Sequence, residues 1–352
     1  MAKGAYLIGL DIGSSSIKFV ELKEKKGNPV VQQLGVAPLS PETIVEGAII
    51  DSYDLISAMK QLASAYRIKN RKVAISISGT PVIVKRLTMA YMTDKELAEA
   101  IDWEVERYLP FDLSEVNIDY HVIKSDEKKN QLEVLIAAVK KETIEEYLFV
   151  VNEAGFKLKV VDVDAFAVQN AYVTTNEPEE DESVILVNLG ASLMNLNILS
   201  SGKTMFTRDI ALGGDSFTKE IQKQIGKTFE EAEQLKISSE SDNAQEIIVE
   251  NVMNMAKSSL TNEILKSINF YNSTFEGKEV NKIILSGGTA LMDGLAEHIE
   301  TSLNIPTSVM NPFNGIEINE RTVDRDLIES SAPVFAVAFG LALRREKEGK
   351  ER

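Results

Sequence analysis

Ile8-Gly9-Leu10-Asp11-Ile12-Gly13-Ser14-Ser15-Ser16-Ile17-Lys18-Phe19 and Ile185-Leu186-Val187-Asn188-Leu189-Gly190-Ala191-Ser192-Leu193-Met194-Asn195-Leu196 align without a gap. Each stretch reads as an apolar strand, an Asp or Asn, an apolar residue, Gly, a small residue, Ser and a second apolar strand. That order predicts a β-hairpin whose turn is built from small side chains. The separation of the two copies is too long for a solenoid and points instead to two related domains facing each other. In such turns the backbone N–H groups can approach and cradle phosphate oxygens, with Ser hydroxyls as further donors. Lys18 follows the first turn, well placed for a β- or γ-phosphate. Asp11 can hold Mg²⁺ through water, because that ion prefers oxygen ligands and keeps its own waters. Either hairpin alone reads better as a tight turn; the pair, one in each half, favours a nucleotide site.

Two further glycine elements fit the same chemistry. Ser286-Gly287-Gly288-Thr289 follows the strand-like Lys282–Leu285 and leads into a helix expected over Ala290–Ser302, an arrangement suited to an anion or to the base–sugar edge of a nucleotide. Leu212-Gly213-Gly214-Asp215-Ser216 opens another helix. Singly, both are weak signals, since Gly pairs before helices are common.

Around these motifs the elements alternate. Strands are expected at Ala5–Ile12, Ile17–Lys23 and Val30–Val36, then a helix over Ser52–Tyr66 with Ser52 as its N-cap, then a strand at Lys72–Ser78. The succession Val82–Met89, Asp94–Tyr108, Val116–Ile123, Leu132–Val139, Lys141–Ala154, Lys157–Val163 reads β-α-β-β-α-β, a small self-contained module. A helix over Asp164–Tyr172 precedes the acidic, Pro-containing hinge Glu177–Glu182. The second half holds Val184–Asn188, a hairpin of Asn195–Leu199 and Thr204–Ile210, helices over Phe217–Tyr271, the strand Pro306–Met310 and a final helix from Val334 to about Lys347 with a solvated, charged end.

Composition excludes several functions. The 352 residues suffice for two domains, and 44% hydrophobic with 26% charged residues is ordinary for a globular chain. Cys is absent and the two histidines, His121 and His298, lack metal-ligand spacing, which excludes disulfide, thiolate and zinc chemistry and a Ser–His nucleophile. A net charge of −16 makes nucleic acid an unexpected partner. Met1 to Gly4 does not read as a signal peptide. The longest apolar run, the 12 residues Ala332–Leu343, is too short to cross a bilayer, so a cytoplasmic protein without direct membrane insertion is expected.

At this level of detail the chain resembles the actin-like ATPases, the superfamily of actin, DnaK-type chaperones and sugar kinases. Asp11, Gly13, Ser14, Ser15 and Lys18 look like its first phosphate loop, Asn188, Gly190, Ala191 and Ser192 its second, and Gly287, Gly288 and Thr289 its adenosine motif. Gly213, Gly214 and Asp215 join the same site. Asp164–Ala171 and Pro333–Leu341 fall where its two connecting helices stand. Glu233-Gln234-Leu235-Lys236 is similar to the Glu-x-x-Lys helix that packs on adenosine, although Glu and Lys at that spacing also make an ordinary solvated face. Within the superfamily the chain most resembles the FtsA/PilM type, and of the two the type IV pilus assembly family PilM. The module and the stretch Glu104-Val105-Glu106-Arg107-Tyr108-Leu109-Pro110-Phe111, similar to a Glu…Tyr-[Ile/Leu]-Pro-Phe pattern of that family, carry the likeness.

The resemblance implies an α/β, two-domain actin-like (ribonuclease-H-like) ATPase fold with an FtsA-type α+β subdomain inserted in the first domain. The first domain takes 1–81 and 160–176, the insert 82–159, the second domain 183–215 and 280–352, and a helical subdomain 216–279. It implies ATP or ADP with Mg²⁺ as ligands and slow turnover, because Asn188 replaces the usual Asp and cannot act as a base. It also implies docking of the cytoplasmic N-terminal peptide of a PilN-type inner-membrane protein, with other pilus platform and motor proteins and self-association left open. The groove would include Ala100, Trp103, Glu104, Arg107, Leu109, Pro110 and Phe111. Leu97, Ile101, Val105 and Tyr108 form the helix's core stripe, whereas Trp103 and Arg107 share another face, as an anchor for a partner or as a cover for the module's edge. An FtsA-type division protein and a small-molecule kinase are the alternatives, the latter without a visible carboxylate base or sugar pocket.

Overall fold

The structure, a computed structural model, describes residues 5–237, 243–275 and 279–346. Strands β1 (Ile8–Ile12), β2 (Ser16–Lys25) and β3 (Asn28–Pro38) form an antiparallel meander, followed by a short hairpin β4 (Ile44–Val45) and β5 (Ala48–Ile49), helix α1 (Ser52–Ala65) and strand β6 (Lys72–Ile77). Helix α1 is capped one residue earlier than the sequence suggests. The Asp51 carboxylate accepts the Asp54 N–H at 3.0 Å, while Ser52 is already helical.

Next come β7 (Val82–Met89), α2 (Asp94–Glu106), β8 (Val116–Asp126) and β9 (Gln131–Lys140), then α3 (Lys141–Glu153), β10 (Lys157–Val163) and α4 (Asp164–Thr175). Strands β7, β9 and β8 make a separate three-stranded sheet whose inner face packs on α2 through Leu87, Leu97, Ile101, Val105, Val134 and Ile136. A capping box sets the start of α2: Glu96 accepts the Thr93 N–H at 2.8 Å and Thr93 accepts the Glu96 N–H. The module ends there. Strand β10 instead pairs in parallel with β6, and Tyr147, Val150, Val151 and Phe156 pack with Ile8, Leu10 and Leu55. The reading of Lys141–Val163 as the module's closing helix and strand is therefore corrected. Those residues are as apolar as a module would need, but the larger sheet's open edge takes them.

The second half repeats the first. Strands β11 (Ser183–Leu189), β12 (Met194–Ser200) and β13 (Lys203–Ile210) form a second meander; helices α5 (Gly214–Ile225), α6 (Phe229–Ile237) and α7 (Asn243–Thr274) follow; β14 (Lys282–Ser286), α8 (Leu295–Leu303) and β15 (Thr307–Val309) complete the sheet. The strand order β13-β12-β11-β14-β15 matches β3-β2-β1-β6-β10 of the first sheet, so the aligned sequence motifs occupy equivalent hairpins. The helix expected over Ala290–Ser302 is broken into a single 3₁₀ turn and α8, with Gly294 left-handed at φ 67° between them.

The chain then returns to the first lobe. Strand β16 (Glu317–Ile318) adds to β3, and after α9 (Arg325–Ser331) the helix α10 (Ala336–Ala342) packs under β1. A methyl on Gly340 would stand 1.8 Å from the Ala167 carbonyl oxygen, and one on Gly9 would stand 1.9 Å from that of Ala338. Thus α10 lies in direct backbone contact with α4 and with β1. The core around them, with Leu7, Val20, Tyr172, Leu186, Phe335 and Phe339, is shared by both lobes. Helix α10 is shorter than the expected Val334–Lys347. Arg344 bonds Asp162 at 2.6 Å, Arg345 bonds Glu24 at 2.5 Å, and Glu346 pairs with Lys72 at 2.6 Å and with Lys159 at 3.2 Å, so 344–346 are tied to the first lobe rather than solvated. The rest of the charged tail lies outside the described residues.

Candidate functional site

The register of each meander positions the turn residues. Asp11 lies opposite Lys18 across β1 and β2, and their side chains meet at 3.4 Å with 12% and 13% exposed. The Gly13 N–H closes the turn by donating to the Ser16 carbonyl at 3.2 Å. In the second hairpin the equivalent pair is Asn188 opposite Asn195, joined by an amide hydrogen bond of 3.1 Å, and the Gly190 N–H donates to Leu193 at 2.9 Å. The repeat thus preserves the turn and replaces an ion pair by an amide pair. Both turns face one cleft of about 1080 Å³ between the lobes. At its floor they touch: the Ser192 hydroxyl donates to the Ser14 hydroxyl at 2.9 Å.

The remaining glycine elements converge on the second turn. Gly287 is left-handed at φ 84°, and a Cβ there would lie 2.4 Å from the Leu189 carbonyl oxygen. Gly288 faces open space. The Thr289 hydroxyl donates to the Gly190 carbonyl at 2.9 Å. Gly214 and Asp215 donate their N–H groups to Gly190 and Ala191 at 3.1 and 2.8 Å. Gly213 packs behind the turn, where a Cβ would come within 2.4 Å of the Ala191 carbonyl oxygen, and does not line the cleft. On α6, Lys236 bonds Glu233 at 2.5 Å, the Thr218 hydroxyl at 2.7 Å and the Gly214 carbonyl at 3.2 Å. Glu233 and Lys236 are therefore built into the cleft wall rather than into a solvated face. Apart from Gly213, every residue that the sequence assigned to the nucleotide site lines this one cleft, Ser15 and Ala191 included.

Three functional candidates escape the sequence reading. Asp164 opens α4 and projects into the cleft near Asp11; burial, with the charge of Asp11 added, pushes its carboxyl up to about 7. Such a group is part protonated near neutral pH and can take a proton from water. Asn195 and Asp209 form the other missed pair, with Asn195 donating to Asp209 at 2.9 Å. The only signal for Asp164 was an acidic residue at a helix start, which also occurs wherever the helix dipole favours it. Among the described residues no three Asp, Glu or His side chains cluster as a metal site.

The module presents its own surface. Trp103 is 75% exposed and Arg107, one turn on, is exposed too. Leu97, Ile101 and Val105 are core as expected, but Tyr108 is 43% exposed, with the Lys85 ammonium 5.4 Å above its ring. The helix stops at Glu106, so Tyr108 leaves the buried stripe and Leu109 packs on the module's core instead. Ala100 and Glu104 are half-buried and Pro110 is exposed. Phe111 lies under the Lys140 ammonium at 4.5 Å, beside the junction of β9 and α3 where the module meets the first lobe.

The family model described as type IV pilus assembly protein PilM matches residues 9–346. The chain belongs to the PilM family. Its PilM-family architecture is closely similar to the solved "PilM-PilN type IV pilus biogenesis complex", with a TM-score of 0.85, 26% identity and 97% of this chain and 98% of that one covered. The cell division protein FtsA of Borreliella burgdorferi is 22% identical over an alignment of 396 residues, covering 98% of this chain and 92% of that relative. MreB5 of Spiroplasma citri bound to ADP shares the fold at 15% identity and a TM-score of 0.54, covering 96% of this chain and 94% of its own. The PilM-family chain is thus an actin-like protein of type IV pilus assembly. Among its described residues no helix is long and apolar enough to cross a membrane.

Proposed function

We propose that this PilM-family chain binds ATP or ADP with Mg²⁺ in the interlobe cleft. We further propose that it docks the cytoplasmic N-terminal peptide of a PilN-type inner-membrane protein on its inserted module, which recruits it to the inner face of that membrane. The observation that carries the reading is the meeting of two phosphate turns, one from each lobe, at the Ser14–Ser192 contact of 2.9 Å on the floor of a cleft with room for a nucleotide. The N–H groups of Ser14, Ser15, Ala191 and Ser192 would cradle the phosphates, with Lys18 supplying the cation. Gly287, Gly288, Thr289, Glu233 and Lys236 would flank the adenosine. Asp11 would hold Mg²⁺ through water. This fits a cleft where, among the described residues, no three carboxylates form a cage, since Mg²⁺ keeps several waters and takes the rest of its ligands from phosphate.

Turnover is slow in this reading. Asn188 has no basic group, which leaves Asp164 alone to take a proton from the attacking water. Nucleotide then acts chiefly as a ligand that favours one arrangement of the lobes. The partner assignment draws on the PilM–PilN complex, whose PilM covers nearly the whole of this chain, and on the exposed Trp103–Arg107 face ending at the module's seam. The likeness to FtsA sustains a division-protein reading as the alternative.

Titration with a fluorescent ATP analogue and Mg²⁺ tests the nucleotide half. Saturable binding is expected, with Lys18→Ala weakening it about 10- to 100-fold, the range for losing a charge-assisted hydrogen bond. Equal binding by wild type and Lys18→Ala would remove the cleft assignment.

A further inference from the structure

A chain of side chains leads away from the second phosphate turn. The Ser286 hydroxyl donates to Asn188 Oδ1 at 3.2 Å, Asn188 Nδ2 donates to Asn195 Oδ1 at 3.1 Å, and Asn195 Nδ2 donates to Asp209 Oδ1 at 2.9 Å. Asp209 Oδ2 then accepts the Gly79 N–H of the first lobe at 2.6 Å. Gly79 stands at φ 83° in the turn from β6 to β7, the root of the inserted module, where a Cβ would come within 2.6 Å of the Glu46 carbonyl oxygen. The relay therefore begins in the cleft, crosses from the second lobe to the first, and ends where the module leaves the core.

Its direction follows from chemistry at one end. An ionised carboxylate only accepts, so Asp209 requires a donor from Asn195. That turns the carbonyl of Asn195 toward residue 188, which must then be a donor. Asn can supply one and an ionised Asp cannot. With Asp at 188, the one amide of Asn195 would face a carboxylate on each side, and its oxygen would have to point at one of them.

We propose that Asn195 and Asp209 are positioning residues that specify Asn at 188, hold its amide in one orientation, and tie the second phosphate turn to the root of the partner-docking module. This rests on the nucleotide reading of the cleft. Through the relay, a nucleotide that moves Asn188 pulls on Gly79, and the module responds. Asn188 is thus a link in a tether, as well as the absence of a base.

Four variants and the wild type test it, with ADP affinity and thermal melting measured on each purified full chain. Asn188→Asp should weaken ADP at least tenfold and lower the melting temperature. Adding Asp209→Asn should recover most of both losses, because Asn at 209 can accept from Gly79 and donate to a flipped Asn195, whose Nδ2 then serves the carboxylate at 188. Adding Asp209→Ala instead removes the same charge without supplying a donor, and should recover clearly less. Asp209→Asn alone should flip the amides together, keeping the melting temperature near wild type but weakening ADP, because Asn188 then presents its amide nitrogen rather than its oxygen to Ser286. Equal rescue by Asn and Ala at 209, or no rescue by either, overturns the relay. Failure of the wild type to bind ADP at all would sink the nucleotide reading instead, while the melting temperatures still report on the relay.

Discussion

At the residue scale, the site separates what spacing reveals from what burial creates. Asp11, Gly13, Lys18, Asn188 and Gly190 were legible as parts of two facing turns because similar residue types recur in register in both halves, as the proposed phosphate contacts would require. Asp164 was not legible, because its carboxyl owes its character to walls contributed by distant parts of the chain. Its raised value has a stability consequence with a definite sign. The unfolded carboxyl ionises near pH 4 and the folded one near 7, so ionisation increasingly opposes folding as pH rises through that window and does so fully above it. Asp164→Asn should therefore stabilise the nucleotide-free protein at pH 8, by roughly 1–3 kcal/mol after local relaxation, and the gain should shrink toward zero by pH 4. Urea unfolding at the two pH values checks it. A gain that grows on acidification would contradict the assignment. In the same variant, any ATP turnover should fall while nucleotide binding persists.

Elements tell a different story. Periodicity located the longer strands and helices, since a buried stripe or an alternating face leaves its mark along the chain, and missed the two-residue strands β4, β5 and β16 and the short α9. The misplaced ends were those decided by tertiary partners. Helix α10 stops at Ala342 because Arg344, Arg345 and Glu346 find ionic partners on the first lobe. Strand β10 joins β6 because a parallel edge was open there, which no local pattern announces. The close backbone packing of α10 on α4 also depends on a single glycine. Gly340→Val should lower stability by about 2–4 kcal/mol, an overpacking cost enlarged because the obstacle is backbone that cannot rotate away. Gly288→Ala, whose added methyl meets nothing within 4 Å, should leave stability unchanged. Chemical denaturation of both variants decides, and equal stabilities would show that the two helices can separate freely.

At the scale of the whole molecule, two pseudo-repeated lobes are bound by exchanged elements. Helix α4 follows β10 of the first lobe yet accepts the Asn197 amide of β12 at its Ala165 carbonyl, 3.0 Å away, while α10 comes after the second lobe in the chain and packs beneath β1. Any change of the cleft must act through these two helices and through the bridges between module and second lobe, where Arg86 of β7, paired with Glu133 of its own sheet, contacts Met205 of β13 and lies 5.9 Å from the centre of the Phe275 ring. The two-lobed plan was legible in the aligned hairpins, but these bridges were not, because they join residues far apart in sequence that share no pattern. In the function proposed above, nucleotide in the cleft and a peptide on the module would be coupled ligands, each changing the other's affinity by the same factor. The most direct test of that account is the fluorescence anisotropy of a labelled PilN-type N-terminal peptide titrated with this protein, with and without ATP–Mg²⁺. We predict saturable binding whose affinity shifts with nucleotide and falls at least tenfold in Trp103→Ala or Arg107→Ala. No binding up to the highest soluble concentration of this chain, in either nucleotide state, would contradict it.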